Sequence, residues 1–192
     1  MTIKASDFVE PIPAPDLQAR AACQKRLDSL TKPPGSLGVL EELALRLASL
    51  SGFPPRVDNA HVLLFAADHG VTEEGVSAYP KSVTAQMVSN FLNGGAAINV
   101  LARLAQAQVT IVDVGVDADL SNVMGLMHAK VRRGTRNMTR EDAMTPQEAL
   151  EALRVGQRCA GDAIAHGARI VCLGEMGIGN TTASAALVSS LL

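Results

Sequence analysis

The sequence predicts an α/β fold built on a parallel, doubly wound sheet. Three runs carry that expectation: "HVLLFAADHG" (His61 to Gly70), "QVTIVDVGVD" (Gln108 to Asp117) and "ARIVCLGEMG" (Ala168 to Gly177). Each is short, rich in Val, Ile or Leu, and not alternating, as strands covered on both faces of a parallel sheet are. Helical patterns separate them, and that alternation is the mark of an α/β domain.

Taken in order, residues 1–14 are irregular, with prolines at 11 and 13. Pro15-Asp16 opens a helix running to about Leu30, and "TKPPGSLG" (Thr31 to Gly38) breaks the chain. Leu37, Leu40, Leu43, Ala44 and Leu47 mark the apolar face of a second helix. These two helices precede any strand, so they are expected to form a cap or small subdomain. After the first strand, helices are expected over 82–92 and 96–107. "AKVRRGT" (Ala129 to Thr135) reads as a further strand, and a helix follows over 146–166. A last helix opens at Asn180.

Composition narrows the function. Apolar residues make up 47 % of the 192 residues and charged residues 19 %, the balance of a globular chain. The formal charge is -2, Trp is absent and Tyr occurs once, which argues against nucleic-acid binding. Cys23, Cys159 and Cys172 are odd in number and widely spaced, so they read as reduced core thiols of a cytoplasmic protein. The four histidines lack paired zinc spacing. The first residues carry no apolar leader pattern, and no run reaches the roughly 20 apolar residues of a membrane span.

Open parallel sheets bind ligands beyond the carboxyl ends of their strands. Here those ends carry Asp68-His69-Gly70, Asp113 with Gly115, and Glu175 with Gly177. The last continues into Ile178, Gly179, Asn180 and Thr181. Two glycines followed by cap-forming residues at a helix start suit a phosphate. The spacing is neither a Walker loop, which needs a Gly-Lys pair, nor a dinucleotide fingerprint, so a P-loop phosphotransferase is disfavoured. A carboxylate beside an anion seat repels the anion, so Glu175 is expected to serve a sugar hydroxyl or a ring N–H. Ser77, Tyr79 and Gln86, with Met and Val neighbours, suit a flat, weakly polar aromatic ligand. Loop surface and helix core explain the same residues equally well.

"LTKPPGSLGVLEELA", "ADHGVTEEGVSAYPKSVTAQMVSNFLNGGAAINVLA", "VDVGVD", "GTRNMTREDAM" and "GEMGIGNTTASAAL" occur in this order between Leu30 and the end. Together they closely resemble the nicotinate-nucleotide–dimethylbenzimidazole phosphoribosyltransferase family of cobalamin nucleotide-loop assembly. The resemblance implies phosphoribosyl transfer from nicotinate mononucleotide to 5,6-dimethylbenzimidazole, giving α-ribazole 5′-phosphate and nicotinate. It implies no metal and no cofactor. It implies a homodimer, with a Rossmann-like large domain and a small helical domain built from both chain ends. On it, residues 1–52 belong to the small domain and 53–192 to an incomplete Rossmann-like domain. Glu175 matches an active-site glutamate. Ser77, Tyr79, Gln86 and Met176 match the benzimidazole-facing positions, and Gly177, Ile178, Gly179, Asn180 and Thr181 the mononucleotide-phosphate region.

Family members continue further, and a later Gly-rich segment supplies the glutamate usually regarded as the base. The chain is therefore expected to be an N-terminal portion, inactive alone, which at most binds a mononucleotide phosphate or an aromatic base. Apolar surface is expected around Leu187, Val188, Leu191 and Leu192.

Overall fold

A computed structural model describes residues 11–192. They fall into two compact units, one ending at Asp58 and one spanning Asn59–Leu192. In the first, α1 (Leu17–Asp28) and α2 (Val39–Ser51) pack on each other. Asp16 caps α1 by accepting from the amides of Gln18 and Ala19, which removes two of its unpaired donors. The core is Cys23 and Leu27 against Leu45 and Ala48. The buried stripe of α2 thus differs from the expected one. Leu37, Leu40 and Leu43 are exposed, because Leu45 and Ala48 are the residues that meet α1.

The second unit carries four parallel strands in the order β3-β2-β1-β4. They are β1 (Ala60–Ala67), β2 (Gln108–Gly115), β3 (Leu126–His128) and β4 (Ile170–Met176). α3 (Val83–Leu92) and α4 (Ala97–Leu104) join β1 to β2; α5 (Pro146–Ala165) joins β3 to β4; α6 (Asn180–Leu191) follows β4. Successive side chains of a strand face opposite ways, and each face builds its own core. Leu64 and Ile111 pack with Val88 and Phe91 of α3, while Leu63 and Val112 pack with Val155 and Cys159 of α5. The expected Rossmann-like sheet with flanking helices is present.

Three expectations are corrected. Ala129 to Thr135 is not a strand; the ladder residues are Leu126–His128. The segment 129–135 instead crosses the strand ends. Its amides at Ala129, Val131 and Gly134 donate to Asp113, Val114 and Gly115 of β2, and the Thr135 amide reaches Asp68 beyond β1. β4 is not covered on both faces, since Leu173 is 78 % exposed. For the same reason Cys172 is an exposed thiol, while Cys23 and Cys159 are buried. The apolar residues Leu187, Val188, Leu191 and Leu192 are exposed, as expected. Among the described residues, no helix is long and apolar enough to cross a membrane.

Candidate active site

The three acids at the strand ends divide by role. Asp68 and Asp113 are 2 % and 1 % exposed. Asp68 Oδ2 accepts from the Asp117 amide at 2.7 Å, and Asp113 Oδ1 from the Val116 amide at 2.9 Å. Asp113 Oδ2 also lies 3.0 Å from Lys130 Nζ, an ion pair without hydrogen-bond geometry. Asp113 closes its own turn, and Asp68 ties the end of β1 to the segment after β2. Glu175 differs. It lies opposite Phe65 in the β1–β4 register and its side chain is 44 % exposed.

Glu175 is held at both oxygens. Oε1 lies 3.2 Å from His69 Nε2, and Oε2 accepts from the side-chain amide of Asn180. Gly177 makes room for this arrangement. A Cβ there would sit 2.7 Å from His69 Nε2 and 2.8 Å from Glu175 Oε1, and would overlap the Ala67 carbonyl oxygen. The next glycine, Gly179, has φ +84°, a left-handed conformation that glycine adopts without strain, and it opens α6 with no side-chain cap. Several amides of this turn are already engaged: Ile178 donates to Thr84 Oγ1 at 3.2 Å and Asn180 to the Gly177 carbonyl at 3.0 Å. Asn180 therefore works on Glu175 as well as opening the helix.

The structure places the remaining predicted residues as follows. Ser77 Oγ accepts from the Tyr79 amide at 3.2 Å, Tyr79 is 67 % exposed, and Gln86 is exposed on α3. Met176 is partly buried against the α3 core cluster. Among the described residues, no hydrogen bond joins Ser77, Tyr79 or Gln86 to Glu175. Their segment reaches the turn through two neighbours. A Cβ at Gly179 would meet Val76 at 3.6 Å, and Thr84 holds Ile178.

A largely apolar cavity of about 250 Å³ adjoins His69, lined by Val71, Met138, Met144, Ala183 and Leu187, with Arg136. Its wall, residues 134–144, is anchored firmly. Gly70 meets its backbone so closely that a Cβ would lie 2.6 Å from Asn137 N. Arg140 pairs with Glu73 and Glu74, and Asn137 donates to Glu74 at 2.6 Å. The Asn137 bond is the chief reason the Glu74 carboxyl is held below its usual range, with Arg140 adding to it. Arg132 and Arg136 pair with Glu148 at the start of α5. The Thr145 amide, Arg136 and Arg132 pull the Glu148 carboxyl from 4.5 down to about 2.

Sequence reasoning noted His69 as a polar strand-end residue but assigned it no role, and it missed Thr84. Both act across long sequence separations, 106 and 94 residues, through pairings fixed only by strand and helix order. Among the described residues, no group of three or more His, Cys, Asp or Glu is placed to hold a metal ion.

Comparison with known proteins places the chain in a family. A phosphoribosyltransferase family model matches residues 12–192. The nicotinate-nucleotide–dimethylbenzimidazole phosphoribosyltransferase of Geobacter sp. (strain M21) is 53 % identical over 171 residues, covering 88 % of this chain and 49 % of that protein. Its namesake from Halalkalibacterium halodurans is 49 % identical over 189 residues, covering 98 % and 53 %. A crystal structure of the enzyme of that name from Thermus thermophilus superposes with a TM-score of 0.87 at 53 % identity, over 92 % of this chain and 54 % of that one. The chain spans about half the length of the curated relatives it matches. By its sheet and by its match over residues 12–192, the chain belongs to the nicotinate-nucleotide–dimethylbenzimidazole phosphoribosyltransferase family.

Proposed function

We propose that this chain supplies part of the site that transfers phosphoribose from nicotinate mononucleotide to 5,6-dimethylbenzimidazole, in cobalamin nucleotide-loop assembly. The observation that carries the reading is Glu175, half-exposed at the end of β4, gripped by His69 and Asn180 beside an uncapped helix start. A helix N-terminus carries a partial positive charge and favours a phosphate. Because Ile178 and Asn180 already spend their amides, the phosphate meets the uncapped start of α6 and Thr181 rather than a full row of donors. Ser77, Tyr79, Gln86 and Met176 face the benzimidazole on this reading.

The chemistry needs little more than positioning and one proton acceptor. One nitrogen of the azole attacks ribose C1′. The C1′–N bond to nicotinate breaks, and its electron pair neutralises the positive ring nitrogen. The azole N–H proton passes to a carboxylate base. Glu175 orients the nucleotide or assists that proton transfer. The products are α-ribazole 5′-phosphate and nicotinate, the protein acts as a homodimer, and the reaction is cytoplasmic.

The test is turnover of nicotinate mononucleotide with 5,6-dimethylbenzimidazole by the complete gene product, read by chromatography. Nicotinate and α-ribazole phosphate in equal amounts support the reading. Nicotinate release that ignores the benzimidazole, or no release, contradicts it.

A further inference from the structure

His69 lies between β1 and the turn that follows it, far from Glu175 in sequence, yet it touches the site's carboxylate. The chain leaves β1 at Ala67, and His69 precedes the 3₁₀ turn Gly70–Glu74. Its carbonyl accepts from the Thr72 amide at 3.2 Å and from Thr72 Oγ1 at 2.8 Å, so its backbone is fixed. Its side chain is 16 % exposed, against 44 % for Glu175. The imidazole thus sits behind the carboxylate, and the carboxylate faces outward.

An ionised carboxylate only accepts hydrogen bonds, so His69 Nε2 must carry the proton it shares with Oε1. Asn180 supplies the second donor, on Oε2. Two donors, one on each oxygen, fix the plane of the group and leave lone pairs for a ligand. A partly exposed polar pair contributes little to stability, so stability is a poor reason for this arrangement. The missing Cβ at Gly177 is consistent with a contact that has to close.

We infer that His69 is a positioning residue: it holds Glu175 in the orientation that receives an N–H or O–H donor of the substrate. This rests on the phosphoribosyl-transfer reading. His69 acts through Glu175 and touches no reacting atom.

The test pairs kinetics of the complete gene product with a measurement that needs no turnover. His69→Leu removes the donor, and His69→Gln keeps an N–H at similar reach. We expect His69→Leu to lower kcat about tenfold or more, as loss of a hydrogen bond to a charged group does. KM for nicotinate mononucleotide should stay within about twofold, the pattern of a transition-state effect, and His69→Gln should recover most of kcat. Separately, Glu175→Gln should move the His69 ring ¹⁵N signals of this 192-residue chain without substrate.

Ring signals that do not move overturn the pairing, whatever the activity. A His69→Leu kcat within about threefold of wild type, or equal losses for Leu and Gln, overturns the positioning role. A wild type that never turns over brings down the reading of function, and the inference with it.

Discussion

The Ile178 amide donates to Thr84 Oγ1 at 3.2 Å, which ties the turn after β4 to the first residues of α3. Thr84 is fully buried, so water cannot replace that acceptor. Thr84→Val keeps the shape and orphans the Ile178 amide. The expected loss is about 1–3 kcal/mol of stability, measured by urea unfolding. Thr84→Ser should lose less, and a valine variant as stable as wild type would show the bond to be dispensable.

Two glycines three residues apart should behave differently. A Cβ at Gly174 meets only Leu64, at 3.5–3.7 Å, an ordinary contact. A Cβ at Gly177 collides with the Ala67 carbonyl, His69 and Glu175. Gly177→Ala should therefore cost about 1–3 kcal/mol, the usual range for overpacking, while Gly174→Ala stays within about 1 kcal/mol. Thermal melts of the two variants compare them directly, and equal melting would contradict the tight approach at Gly177.

Glu148 gives the fold an acid sensitivity. Its folded value, about 2, lies below its ordinary value of 4.5, with the Thr145 amide as the largest cause. A depressed carboxylate stabilises the fold fully above the unfolded value, and that contribution fades as pH falls toward the folded value. Wild type should lose Tm between pH 4.5 and about 2, and Glu148→Gln should lose less over the same window. Parallel slopes for the two proteins would remove Glu148 as a cause.

Thiol labelling should separate the cysteines of the 192-residue chain. Cys172 is exposed, whereas Cys23 and Cys159 are buried. Burial also pushes the Cys159 thiol up, which lowers its thiolate fraction. Brief iodoacetamide treatment of the native chain, followed by peptide mass analysis, should modify Cys172 first. Faster modification of Cys159 would mean that α5 opens.

The sheet was legible because β1, β2 and β4 are continuous apolar runs and each is followed by a helical pattern. The helix starts were legible where a proline marks them, at Pro15-Asp16 and at Pro146. Burial was less so. The expected stripe of α2 held Leu40 and not Leu45, and only contact with Leu27 and Cys23 decides which is inside. The segment 129–135 has strand-like residues, yet it spends its amides on the ends of β2 and β1. At the site, Glu175 and Asn180 stood out because they lie close together in sequence, at the end of β4 and the start of α6. His69 did not, because its partner is fixed by strand order and not by spacing.

On the proposed function, Glu175 is a working carboxylate and not a loop anchor. Glu175→Gln keeps the shape and removes the charge. The measurement is kcat/KM for nicotinate mononucleotide and 5,6-dimethylbenzimidazole, on the complete gene product and its Glu175→Gln variant. A loss of about tenfold or more is expected, about 1.4 kcal/mol of transition-state stabilisation. A variant within about threefold of wild type, about 0.7 kcal/mol, would contradict it and leave Glu175 as a support for the turn.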